Sequence, residues 1–213
     1  MTVLADVIET ALTGRRLLAH PFYQRWTAGT LSIEELREYA GQYGSIEHAQ
    51  PRWLTGIAER LETGAARDAV TRVLDDETDD GASHADLFDR FATAIGATPN
   101  SAPTAATRRL VDTLDRLVAK SPATGLGGLL AYEVQSSEVS REKAAGLRRH
   151  FGIDGDGTAF WDTHADLDER HCAWLSEAVE RSGADAGAVA PAVREAADAW
   201  WAFLDEREGS RPA

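Results

Sequence analysis

The sequence predicts an all-α fold, a single compact helical bundle spanning residues 1–213, and three observations predict it. Apolar residues recur at helical spacing in nearly every segment, the alternating pattern of a half-buried strand is almost absent, and glycine and proline fall in short clusters that separate the segments. The apolar stripes run over about 3–19, 32–46, 51–63, 66–78, 84–95, 104–119, 125–150, 158–182 and 188–207, giving eight or nine helices. The segment from Ser32 opens with a capping-box signature, in which Ser32 and Glu35 satisfy each other's free backbone donors, and Leu36, Tyr39, Tyr43 and Ile46 form its stripe. No repeat of 20 to 50 residues and no low-complexity linker divides the chain.

With 43% hydrophobic residues among 213, the chain can bury one sizeable core. A net charge of −13 argues against binding to nucleic acid or to anionic lipid, since both depend on Lys and Arg displacing counterions. The one cysteine, Cys172, cannot form an internal disulfide, so a reducing cytoplasm is the simplest compartment. The first 20 residues carry early acidic groups and no apolar run of signal-peptide or membrane-span length, so neither export nor membrane insertion is expected.

Polar residues then stand where a core should be. In the segment TAFWDTHADLDERHCAWLSEAV, His164, Asp168 and His171 are spaced i, i+4, i+7, which places them within roughly 60° on one helix face. Two imidazoles and a carboxylate on one face suit a divalent metal, although such residues also form ordinary pairs on solvated faces. In the segment VTRVLDDETDDGASHADLFDRF, Glu77 precedes His84 by seven residues. In an unbroken helix the two would lie about 10.5 Å apart along the axis, too far for one metal, so the helix is expected to unwind or restart around Asp79 to Ser83. Glu133 lies in a stretch that is apolar nearly all round, and a buried carboxylate there must pair, protonate or coordinate metal. Glu47 follows Ile46 as a fourth carboxylate and reads equally well as exposed. Four carboxylates and three imidazoles on facing helices favour two irons over zinc or calcium, with manganese, alone or beside iron, still open.

Several blocks carry a resemblance: HPFYQRW at 20–26, the Leu-Ser-x-Glu-Glu-Leu opening at 31–36, Glu77 to His84, LFDRFATAIG at 87–96, AYEVQSSEVSREKAAGL at 131–147 and FWDTHADLDERH at 160–171. Over nearly its whole length the chain resembles the TenA and PqqC-like superfamily of haem-oxygenase-fold proteins, and within it the dimetal oxidase branch. The resemblance implies a metal set of Glu47, Glu77, His84, Glu133, His164, Asp168 and His171, with no haem. It also implies dioxygen as co-substrate, a small-molecule substrate, an external reductant and possible homodimerisation.

The chain is closest in flavour to the CADD-like proteins, in which a para-aminobenzoate synthase consumes its own tyrosine and takes the amino group from an internal lysine. Tyr23, Tyr39, Tyr132 and Lys143 occupy matching positions. Tyr39 and Tyr132 also read as core aromatics with a bonded hydroxyl, and Lys143 as a flank residue reaching solvent. Glu47 falls where self-consuming members need no metal carboxylate and where relatives acting on diffusible substrates usually have one. The expected function is therefore a di-iron oxidase or oxygenase acting on a small amino-acid-like or carboxylate substrate in a biosynthetic pathway. The alternatives are the self-sacrificing para-aminobenzoate route and a non-catalytic helical interaction module.

Overall fold

A computed structural model describes residues 3–79, 83–99, 101–184 and 186–209. Ten α-helices occur among them: α1 (Val3–Ala11), α2 (Pro21–Ala28), α3 (Ile33–Glu47), α4 (Gln50–Ala58), α5 (Ala65–Glu77), α6 (His84–Ala94), α7 (Ala105–Lys120), α8 (Pro122–Gly146), α9 (Asp156–Arg181) and α10 (Ala186–Gly209). No strand occurs among the described residues, so the expected all-α fold is observed. No described helix is long and apolar enough to cross a membrane.

The long helices α8 and α9 pack along each other at the centre. Helices α5 and α6 cover α9, α7 and α10 cover α8, and α3 lies against α6 and α7. Glycines let α8 hold this place. A Cβ on Gly127 would lie 2.9 Å from the carbonyl oxygen of Val189, so only glycine lets α10 approach this closely. A single cluster of buried side chains runs through all these helices, and the metal-type residues sit inside it.

Two boundaries differ from the sequence pattern. The stripe over 3–19 is not one helix: α1 stops at Ala11, Gly14 turns the chain at φ 71°, and a short 3-10 turn follows at Leu17–Ala19. Pro21 and Gly29, read as breakers, instead bracket α2. Pro21 stands in its first turn, His20 caps it by accepting from the Phe22 amide, and Gly29 ends it in the left-handed region. The capping box at Ser32 forms as expected, with the Glu35 amide bonded to Ser32 Oγ and the Ser32 amide to Glu35.

Candidate metal centre

The break between Glu77 and His84 is what assembles the site. Helix α5 ends at Glu77, and α6 begins at His84 with Ser83 as its cap, accepting from the Asp86 amide. The expected restart around Asp79 to Ser83 thus falls at Ser83, with residues 80–82 outside the described residues. The restart brings Nδ1 of His84 to 3.0 Å from Oε2 of Glu77. The same Nδ1 has no hydrogen-bond partner, as expected of two donors aimed at a common point rather than at each other.

Two convergent groups result. Glu77, His84 and His164 offer ligand atoms within 4.8 Å of one another, and so do Glu133, Asp168 and His171; all six residues are buried. Glu77 links the groups, because its Oε1 lies 3.7 Å from Nδ1 of His171 while its Oε2 faces His84. The expected face of α9 is therefore split: His164 joins α5 and α6, and Asp168 and His171 join α8. Glu47, at the end of α3, belongs to neither triad. It is buried, and it lines with Glu77, Glu133 and His164 a cavity of about 30 Å³.

Neighbouring groups fix how these donors are presented. Nδ1 of His164 donates to the Phe160 carbonyl at 2.8 Å, so its Nε2 is left as an acceptor. Nε2 of His171 lies 3.3 Å from Oδ2 of Asp76, which turns Nδ1 toward Glu77 and Asp168. Gln50 donates to Glu133 Oε1 at 3.1 Å, and Ser136 donates to Asp168 Oδ2 at 2.5 Å. The remaining atoms, Glu133 Oε2, Asp168 Oδ1 and His171 Nδ1, are buried without partners. Buried polar atoms left this way are costly unless an ion completes them. Hard oxygen and imidazole donors in two linked groups fit a pair of iron ions.

Electrostatics agree with a site built to hold a cation. Burial, and then the nearby Glu77, push Glu47 up to about 8. Burial likewise lifts Asp168 to about 8 against the hydrogen bond from Ser136, and lifts Glu133 well above the carboxylate range, with Asp168 adding to the effect. Glu77 moves the other way. Its burial would raise it, but the neighbouring His84, His164 and His171 overcome that and keep it ionised. Burial holds His164 down at about 3, a neutral ligand.

Beside the triads lies a second buried cluster. Lys143 is 1% exposed, so it does not reach solvent. Its Nζ donates to the Tyr39 hydroxyl at 2.7 Å, and that hydroxyl lies 2.8 Å from the hydroxyl of Tyr23. The rings of Trp161, Tyr23, Tyr43 and Tyr39 stand 4.0, 4.7, 4.9 and 5.1 Å from Nζ. Burial pulls Lys143 well below the lysine range, opposed by the charges of Glu47 and Asp168. Tyr43 joins the two clusters. Its hydroxyl donates to Tyr132 at 2.8 Å, it lines the cavity with Glu47, and its ring lies 5.3 Å from Tyr39.

The structure thus brings every site residue read from the sequence into one region, with Glu47 at its edge. Sequence reasoning missed Tyr43, Gln50, Asp76, Ser136 and Trp161 as members of the site. Spacing carried a signal for some of them. Tyr39, Tyr43 and Glu47 stand at i, i+4, i+8 on α3, Gln50 is three residues after Glu47, and Ser136 is three after Glu133. Nothing local marked Trp161 among the other apolar residues of α9.

Fold and donor set define the class as helical oxidoreductases that carry non-haem metal between their helices. Residues 37–203 match the family described as iron-containing redox enzymes, and the chain belongs to that family. It is 31% identical over 213 residues to the 4-aminobenzoate synthase of Chlamydia pneumoniae, covering 96% of this chain and 94% of that protein. Among solved structures, a CADD-like protein of unknown function from Nostoc punctiforme superposes with a TM-score of 0.80 at 21% identity, over 97% of this chain and 96% of the other. A TenA homolog from Pseudomonas syringae pv. tomato gives a TM-score of 0.83 at 16% identity, over 97% and 93%. The likeness to these two structures is one of fold.

Proposed function

We propose that this enzyme is a self-consuming 4-aminobenzoate synthase, in which Tyr23 supplies the carbon skeleton and Lys143 the nitrogen. The observation that carries the reading is the hydrogen-bonded chain from Lys143 Nζ through the Tyr39 hydroxyl to the Tyr23 hydroxyl, sealed among aromatic rings beside the metal triads. The name carried by the 4-aminobenzoate synthase of Chlamydia pneumoniae supports it.

Two irons would be held in this reading by Glu77, His84 and His164 on one side and by Glu133, Asp168 and His171 on the other, with Glu47 beside the first group. When bound, the irons would let dioxygen act as the oxidant, and an external reductant would return them to the ferrous state. The chain's residues supply position. A tyrosine side chain already contains a benzene ring, a single exocyclic carbon and a para oxygen. Conversion to 4-aminobenzoate would break the Cα–Cβ bond of Tyr23 and the Cε–Nζ bond of Lys143, join that nitrogen to the ring as the phenol oxygen leaves as water, and raise Cβ to a carboxylate, with dioxygen as the oxidant and the external reductant supplying the remaining electrons. Tyr39 holds the amine and that oxygen on one hydroxyl, and burial keeps the Lys143 nitrogen in its neutral, nucleophilic form. The surrounding rings exclude water.

A second reading, oxidation of a diffusible amino-acid-like or carboxylate substrate, draws support from Glu47. Buried beside Glu77, it would add a fourth donor to the first group, the feature that points to an external substrate. The two readings separate in one experiment. Protein grown with 15N-lysine and supplied with iron, reductant and dioxygen, but no substrate, gives 15N-labelled 4-aminobenzoate in the first reading. Unlabelled product, or none until an external substrate is added, supports the second.

A further inference from the structure

We propose that Trp174 is the electron port of the metal centre, passing electrons from an anionic one-electron donor in solution to the iron beside His171. The inference rests on the reading that irons occupy the two donor groups, and not on which substrate is oxidised.

Electrons from an external reductant must cross from solvent to a buried centre. Most aromatic contacts of that centre end inside the fold. His84 packs on His164 at 4.4 Å between ring centroids and His164 on Phe160 at 4.1 Å, and all three are buried. Tyr132 stacks on Trp200 at 4.6 Å, but Trp200 is buried as well. His171 differs. Three residues further along α9, the indole of Trp174 stacks on the His171 ring at 6.0 Å and 29°, and Trp174 is half-buried at the rim of the core. Among the described residues it is the one aromatic side chain that both packs on a proposed ligand ring and reaches solvent. Asp76 holds Nε2 of His171 at 3.3 Å, which fixes the imidazole against the indole.

The surface around Trp174 selects the donor. The guanidinium carbons of Arg72 on α5 and Arg170 on α9 stand 5.2 and 5.8 Å from its ring centre. Both arginines are exposed. Arg72 pairs with Glu177 at 2.8 Å and Arg170 with Asp76 at 3.9 Å, exposed contacts of small value, and a guanidinium has more donors than one carboxylate uses. A planar ring that carries a phosphate meets both features, its ring against the indole and guanidinium planes and its phosphate on an arginine fork. The donor class is therefore a reduced flavin nucleotide. One flavin hydroquinone anion becomes flavin, releasing a proton to solvent and two electrons through Trp174, and two ferric ions become ferrous. No bond forms or breaks at Trp174. The flanking cations oppose positive charge on the indole, so the ring conducts without being left oxidised.

Stopped-flow reduction of anaerobic ferric protein tests the port, with reduced flavin mononucleotide as the anionic donor and the methyl viologen radical cation as a cationic one. Trp174→Leu is expected to keep its iron and its ferric absorption spectrum and to be reduced by the flavin about 10-fold or more slowly, with Trp174→Phe restoring much of the rate. Arg72→Gln combined with Arg170→Gln is expected to slow the flavin about 5-fold or more and to leave the viologen rate unchanged. Iron-loaded Trp174→Leu reduced at the wild-type rate overturns the inference. Should that variant fail to fold or to hold iron, the arginine pair decides: an unchanged flavin rate, or equal slowing of both donors, overturns it as well. These rates require no product, so loss of the Tyr23 reading leaves them standing. Wild-type protein that binds no iron removes the metal reading and this inference together.

Discussion

Nζ of Lys143 lies 2.7 Å from the hydroxyl of Tyr39, and this phenol is its single hydrogen-bond partner among the described residues. A lysine amine 1% exposed, with one hydrogen bond and no carboxylate partner, is retained at a cost to stability. Replacement by a side chain of similar length without the amine should relieve that cost. Lys143→Met is expected to stabilise the fold by about 1–3 kcal/mol while abolishing product formed without added substrate. Calorimetry and a product assay on the same preparation check both halves.

Iron stoichiometry tests the division into two triads. Asp168→Asn and His84→Ala each remove a donor from one group, so each is expected to lower bound iron from about two per chain toward one. Glu77→Gln, which alters the carboxylate facing both groups, is expected to weaken both positions. Anaerobic reconstitution followed by metal analysis reads the difference.

Asp76 offers a milder perturbation. It touches His171 through Nε2 and so fixes which ring nitrogen faces the metals. Asp76→Asn is expected to lower metal affinity by about 10- to 100-fold without removing a ligand. A competition titration with a chelator measures it, and an unchanged affinity would show that Asp76 does not orient the ring.

Metal-free protein should lose stability as pH rises. Glu47 and Asp168 bind their protons up to about 8 in the folded chain, above the unfolded carboxylate range. A group whose folded pKa is raised stabilises fully below its unfolded pKa, and that contribution is lost as pH rises through the folded value. The lowered His164 acts oppositely, but its contribution is complete above 6.5; from there to about 8 the raised Glu133 and His84 add to the carboxyl effect and the lowered Lys143 opposes it. The expected loss over that window is on the order of 3 kcal/mol, seen as a fall in Tm of several degrees or more. Ferrous iron replaces the protons as counter-charge, so the iron-loaded protein should show no such fall.

The sequence carried the helices that build the site and the donors within them because both follow local rules. The His164, Asp168 and His171 spacing needs only the helical period, and the Glu77 to His84 break follows from the length of an unbroken helix against the reach of a metal. What escaped depends on contacts between distant segments. Helix α2 hides between Pro21 and Gly29, which read as breakers but act as its first-turn proline and C-cap. The membership of Glu47 was ambiguous because its burial depends on residues of other helices, Glu77, Glu133 and His164 among them. Lys143 read equally as a solvent-reaching flank residue until Tyr23, Trp26 and Tyr39 from other helices were seen to surround it. The division of α9 between two metal positions likewise requires knowing which helix faces each residue.

The central claim is that the enzyme's own Tyr23 and Lys143 become product, and peptide mass mapping tests it most directly. Protein reconstituted with iron and given reductant and dioxygen, with no other substrate, is digested and compared with an untreated sample. The peptide bearing Tyr23 is expected to lack its aromatic side chain, and the peptide bearing Lys143 to lack its amine, both in proportion to the 4-aminobenzoate released. Product released while both peptides keep their original masses would contradict the claim.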